Sequence, residues 1–330
     1  MMGIATADET TAPPAGRGER AAPGDLGVER ALPAPRSGGI EGGARAIAFS
    51  PDGRLLAIGA ACGEVSIADV SSTPAESPWR PVLVHEGAVS ALAFAARGDE
   101  RVLASGGDDG FVRAALVSAD GAVVSSSRVA IGAGPVTALA LDGERAVAGT
   151  ARGAIALARL APPSVERTVD RHDGPIAAIA LVKSRIATAG WDGLVKLSDA
   201  TGREVRSAKV APVELSAIAL VDGKLAVASW RPGIAFLDAT SLKPVASFEP
   251  HRGGSIALAT LPGGRLVSAS LADESVVVSE LASKSEPRAI ARSRVRSAPS
   301  AIAVSPDGAR IACALNDGSV VIFHAPAGGR

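Results

Sequence analysis

A tetrapeptide of the type Ala-Ile-Ala-Phe recurs seven times along the chain, and this repeat restricts the possible folds more than any other feature. It stands at Ala46–Phe49 and returns at Ala91–Phe94, Ala138–Leu141, Ala178–Leu181, Ala217–Leu220, Ala257–Thr260 and Ala301–Val304, at intervals of 39 to 47 residues. Few architectures repeat near that length, and a helical unit and a four-stranded sheet unit are both among them. The punctuation decides between the two. In the second copy VSALAF is followed by Arg97-Gly98-Asp99, then RVLASGG, then Asp108-Asp109-Gly110, then FVRAALV. Runs of about six residues between Gly and Asp breakers are strands, since helices need about ten or more. Ser50-Pro51-Asp52-Gly53 and Ser305-Pro306-Asp307-Gly308 hold the same place in the first and last copies. Pro presets φ and Gly supplies a positive φ, so each tetrapeptide closes a hairpin. A Gly opens the third strand at 63, 110, 153, 193, 233 and 318, and the sixth copy has Glu274 there instead.

A fourth, outer strand is visible at Trp79–Val84, Val123–Ala130, Val165–Val169, Val205–Val210, Pro244–Phe248 and Arg288–Arg292. Six such strands serve seven units, because the chain ends soon after Phe323. The missing strand is expected from Val28–Pro35, pairing with the last unit so that the ring closes and its edge is protected. The expected fold is therefore all-β, a seven-bladed β-propeller of four-stranded antiparallel blades over residues 26–326, closed by an N-terminal strand. Residues 1–25, rich in Pro, Ala and Gly, are expected to be a disordered tail, and residues 327–330 a short C-terminal one.

Composition excludes several functions. Thirty-four Lys and Arg balance thirty-four Asp and Glu, and aromatic residues make up 3% of the chain with no Tyr. Phosphate neutralisation needs a basic excess and base stacking needs aromatic platforms, so nucleic acid is not the expected partner. The apolar residues come in short runs such as Ile176–Val182, far below the ~20 residues of a spanning helix, and residues 1–20 lack the apolar core of a signal peptide. Two cysteines give neither a disulfide framework nor CxxC spacing. A cytoplasmic, monomeric protein without cofactor or metal is expected. The excess of Arg over Lys and the single Asn, Asn316, suggest GC-rich, bacterial coding.

The repeat resembles a degenerate WD40 repeat, and the chain is similar to seven-bladed WD40-type propellers. His85, His172 and His251 stand six residues before the Ala that opens the inner-strand signature, the place where that family carries a His. By position, the resemblance implies a hydrogen-bonded network of His85, Ser105 and Asp109 in blade two, and of His172, Thr188 and Asp192 in blade four. The Trp of the family motif is Ala115 in the former and Ser198 in the latter, and no blade keeps the Trp-Asp dipeptide. Phe323 comes nearest to that Trp, and an acidic residue survives beside its place as Asp69, Asp199 and Glu280. Blade five carries Pro232 in place of the turn Asp and is expected to form no network.

Three matched histidines raise the possibility of a metal site, but blades two, four and six are not adjacent, and ligands must approach zinc to about 2 Å. The His, Ser and Asp of one blade have the composition of a hydrolase triad, yet no G-x-S-x-G elbow accompanies them. The turn tryptophans carry more. Trp191 directly precedes the turn Asp of blade four, and Trp230 sits at the matching turn of blade five, followed by Arg231. The resemblance places these turns on one rim of the central channel, the surface the family uses for peptides and proteins, with Asp108, Glu86, Asp173 and Arg252 on the same rim. Trp and Arg are the residues enriched in binding hot spots. A non-enzymatic scaffold for a protein or peptide is the leading expectation, and a lactonase- or quinoprotein-like enzyme with a ligand or metal in the channel is the alternative. Arg288, Arg292, Arg294 and Arg296 share parity and are expected to protect the outer edge of blade six. Cys313 is expected to be buried, and Cys62, in the turn of blade one, exposed.

Overall fold

In a computed structural model, residues 23–35, 43–71, 79–281 and 286–327 are described. They form seven antiparallel sheets in which successive strands pair from the inside outward, as in Val89–Arg97, Glu100–Gly107, Phe111–Val117 and Val123–Ala130 of blade two. Each inner strand touches the inner strand of the next blade, and Pro299–Val304 of blade seven meets Ala44–Phe49 of blade one, so the sheets form a closed ring.

The ring closes through the N-terminal segment. Val28–Leu32 lies antiparallel to Val320–His324 and supplies the fourth strand of blade seven. Gly24 and Asp25, expected in the tail, instead form a short strand parallel to Arg288–Arg294 of blade six. The remainder of the expected tail, residues 1–22, lies outside the described residues. Two buried side chains anchor this segment: Leu26 in the core between blades six and seven, and Leu32 in the core between blades seven and one. The Trp79 indole, also buried, donates to the Pro33 carbonyl at 2.7 Å.

The turn chemistry follows from its residues. Ser50 Oγ accepts from Leu55 N at 2.8 Å and donates to Asp52 at 2.6 Å, while Gly53 takes a φ of 71°. Ser305, Asp307 and Gly308 repeat that arrangement in blade seven. The inner strands are rich in Ala because they converge on one axis, and packing between blades is correspondingly close. A Cβ at Gly59, Gly106 or Gly149 would stand 2.6, 2.4 and 2.7 Å from a methyl of Val89, Val136 and Ile176, the first inner-strand residue of the next blade.

The arginines of blade six do not share one direction. The register slips between Val278 and Ser279, which ends the parity expected of Arg288 and Arg292. Arg288 pairs with Glu280 at 3.0 Å, whereas Arg292 turns to Asp273 at 3.2 Å. The edge they were expected to protect is covered instead by Gly24–Asp25. Cys313 is buried, with its thiol pushed up to about 12 by burial, and Cys62 is exposed.

Candidate functional site

The loop entering a blade and the turn between its second and third strands meet at a buried His. In blade two His85 Nδ1 lies 2.9 Å from Asp109 Oδ1, and its Nε2 lies 2.7 Å from Ser105 Oγ. In blade four His172 Nδ1 lies 2.9 Å from Asp192 and its Nε2 2.8 Å from Thr188 Oγ1. A third network, which position matching did not specify, joins His251 to Asp273 at 3.1 Å and to Ser268 at 2.9 Å. The His spacing signalled it, but the blade-six turn is longer, and Glu274 occupies the left-handed conformation (φ 47°) that Gly takes elsewhere. Burial lowers the pKa of all three histidines, and hydrogen bonds and the charge of the facing Asp offset this only in part. Each ring is therefore neutral at pH 7, Nδ1–H donating to the carboxylate and Nε2 accepting from the hydroxyl. Burial acts to raise the pKa of Asp109, Asp192 and Asp273, but their hydrogen bonds, including those from the histidines, hold all three below the ordinary value.

These networks shape the rim. Asp109 accepts from Glu86 N at 3.1 Å, Asp192 from Asp173 N at 3.2 Å, and Asp273 from Arg252 N at 3.4 Å. Each carboxylate thus bonds the backbone of the entering loop to its own turn. In blade four Trp191 N also donates to the Pro175 carbonyl at 2.9 Å, which fixes where the indole leaves the turn.

Inside this rim the channel opens into a mouth of about 780 Å³. Two sets of residues make up most of its lining, beside Pro175, Ile176 and Pro299. One is the residue just before the repeated Ala in every blade: Arg45, Ser90, Thr137, Ala177, Ser216, Ile256 and Ser300. The other is the residue following the second strand in blades four to seven: Trp191, Trp230, Leu271 and Asn316. The indoles are 49% and 51% exposed, so about half of each surface is open to a ligand. Two of the hydroxyls are already engaged between blades, Thr137 Oγ1 donating to the Ile176 carbonyl at 2.7 Å and Ser216 Oγ to that of Ser255 at 2.5 Å. Ser300 Oγ is buried without a hydrogen-bond partner. Among the described residues lining the mouth, Arg45 alone is charged.

The expected rim group therefore divides. Trp191 and Trp230 line the mouth; Arg231, Asp108, Glu86, Asp173 and Arg252 are not among its lining residues. Asp108 occupies the turn position of blade two and faces Ser90 Oγ at 3.3 Å. Leu271, Ile256, Arg45 and Asn316 were not anticipated. Among the described residues, no group of three or more His, Cys, Asp or Glu is placed to hold a metal ion.

Seven four-stranded blades and an N-terminal closing strand define a seven-bladed β-propeller. Residues 80–114 match the family described as WD domain, G-beta repeat. No curated protein matches the sequence significantly. Among solved structures, the chain is similar to the WD40 β-propeller domain of Doa1, with a TM-score of 0.76 at 16% identity over 92% of this chain and 98% of that one. It is likewise similar to a chain of the mitotic checkpoint complex, with a TM-score of 0.78 at 17% identity over 98% of this chain and 99% of the other.

Proposed function

We propose that the protein is a non-enzymatic scaffold that binds a peptide or protein segment at the channel mouth, with Trp191, Trp230 and Leu271 as its apolar anchors. The observation that carries this reading is the run of three large apolar side chains on the equivalent turns of three consecutive blades, facing a mouth with one charged residue. Trp79, the third tryptophan, is buried against the closing segment, whereas the other two are half exposed where packing does not require them. Arg45 supplies a site for a carboxylate on the bound segment. The WD40-type fold, which typically serves protein assembly, supports the same reading. The alternative of a channel enzyme finds no carboxylate among the described lining residues, so acid–base chemistry would rest on Arg45, Asn316 and hydroxyls alone. The two free cysteines support a reducing compartment such as the cytoplasm, with the propeller acting as a monomer.

Affinity capture from cell extract with wild type and with Trp191→Ala/Trp230→Ala tests the proposal. Each anchor at a hot spot is expected to contribute about 2 kcal/mol, or roughly 30-fold in affinity, so the double variant should lose partners that the wild type retains. Equal recovery by a variant with an unchanged thermal midpoint would remove the mouth as the site.

A further inference from the structure

The seven blades differ in how their outermost strands are protected. An outer strand presents unpaired N–H and C=O groups, and proteins guard such edges with Pro, charge, short length or a covering segment. Blade one has Pro81; blade three has Pro163, Glu166 and Arg167; blade four has Glu204, Arg206 and Lys209. Blade five opens on Pro244 and runs for 5 residues, blade seven has Glu29 and Arg30, and blade six is covered by Gly24–Asp25. Blade two differs. Its outer strand Val123–Ala130 runs for 8 residues without Pro and without a charge before Arg128, and Val124 is 57% exposed. Every outer strand carries a register shift, so a bulge does not distinguish this edge.

Cavities flank this strand on both faces. The larger, about 900 Å³, runs from Leu83 and Val84 of blade one past Ser126, Arg113 and Arg128 and reaches Pro163 of blade three, with no acidic residue among its lining. Arg128 stacks over Phe111 at 5.5 Å and has no carboxylate partner among the described residues. Arg113 is held by Asp109 at 2.8 Å, and its buried Nε has no hydrogen-bond partner. The cavity toward blade three, about 190 Å³, is mainly apolar at Leu116, Leu160 and Pro162, beside the Arg97–Glu144 ion pair.

We propose that the edge of blade two takes an extended acidic segment of a partner protein as an added strand. Side chains of an added strand alternate between faces, so carboxylates on one face meet the exposed Arg128 while small apolar side chains on the other seat against Leu116 and Leu160. A second copy pairing through the same strand fits less well, because Val123–Ala130 contains no carboxylate to bring to Arg128. This site lies at the circumference, and its outcome is independent of the reading of the channel mouth.

The test is fluorescence anisotropy of the full chain with labelled peptides of alternating valine and glutamate, or valine and lysine. The glutamate peptide is expected to bind preferentially, and amides of Val123–Ala130 to exchange more slowly in that complex. Arg128→Glu should weaken the glutamate peptide by about tenfold or more, the scale of a lost close charge pair, and strengthen the lysine peptide; that exchange of preference is a readout that misfolding cannot produce. Equal binding of both peptides, unchanged affinity in Arg128→Glu, or no slowing of those amides would overturn the proposal. So would a dimeric wild type whose mass is halved by Val124→Lys, which would give the edge to a second copy.

Discussion

At the scale of single residues, Asp192 does three jobs with one carboxylate: it accepts from His172, from the Asp173 amide of the entering loop and from the Leu194 amide of the third strand. Asp192→Ala leaves buried donors unsatisfied and should cost about 1–3 kcal/mol, read as a lower denaturant midpoint. It should also release the loop beside Trp191, seen as faster amide exchange at Asp173. The histidines set the pH dependence. Their pKa values are lowered in the folded state, so the unfolded chain binds the extra protons as pH falls below the ordinary value of 6.5. Stability is then fully present above that value and declines with acidification toward each folded pKa. The paired carboxylates, also lowered, add a further loss below 3.8. Denaturant midpoints measured between about pH 7 and pH 5 should fall, and the slope should be shallower in His172→Gln, which removes one titrating group. An identical slope in the two proteins would mean that His172 does not titrate between the folded and unfolded states.

At the scale of elements, the blades meet through small residues. A side chain at Gly106 would collide with Val136, so Gly106→Val should cost about 1–3 kcal/mol by overpacking. Gly27, with nothing within 4 Å of a built Cβ and no positive φ, should accept Ala within about 0.5 kcal/mol. Thermal melts of the two variants distinguish a glycine that admits a neighbour from one that merely links strands. The strands themselves were legible from turn residues: Pro-Asp-Gly at 51 to 53 and Asp-Gly at 109 and 192 mark hairpins by chemistry that tertiary context does not override. The mouth was half legible. Trp191 and Trp230 stood out against a chain poor in aromatics, but Leu271 is an ordinary residue in a sequence rich in alanine and valine. The inner set was present in the repeat, since each of its members directly precedes the signature Ala; that position acquires meaning only once the inner strands surround one axis. The parity of Arg288 and Arg292 misled because a bulge at Ile290, which sequence alternation cannot reveal, lies between them.

At the scale of the whole molecule, closure and binding are linked through the ring. Leu26 and Leu32 reach into two different inter-blade cores from one short segment, which bridges blade six, blade seven and blade one. Leu32→Ala should therefore cost about 2–5 kcal/mol, and removal of residues through Leu32 should open the edge of Val320–His324 and yield aggregates in light scattering. A truncated chain that stays monomeric with an unchanged midpoint would show that the ring does not depend on this strand. With the ring closed, the turns of blades four, five and six hold their apolar side chains around one mouth, where the partner is proposed to bind. Photo-crosslinking tests it without weakening the fold: a benzophenone amino acid placed at Leu271 is compared with one at Val205, an exposed residue of the outer strand of blade four. The partner captured by wild type, and lost by Trp191→Ala/Trp230→Ala, is expected to crosslink from position 271 and not from 205. Crosslinks from 205 with none from 271 would contradict it.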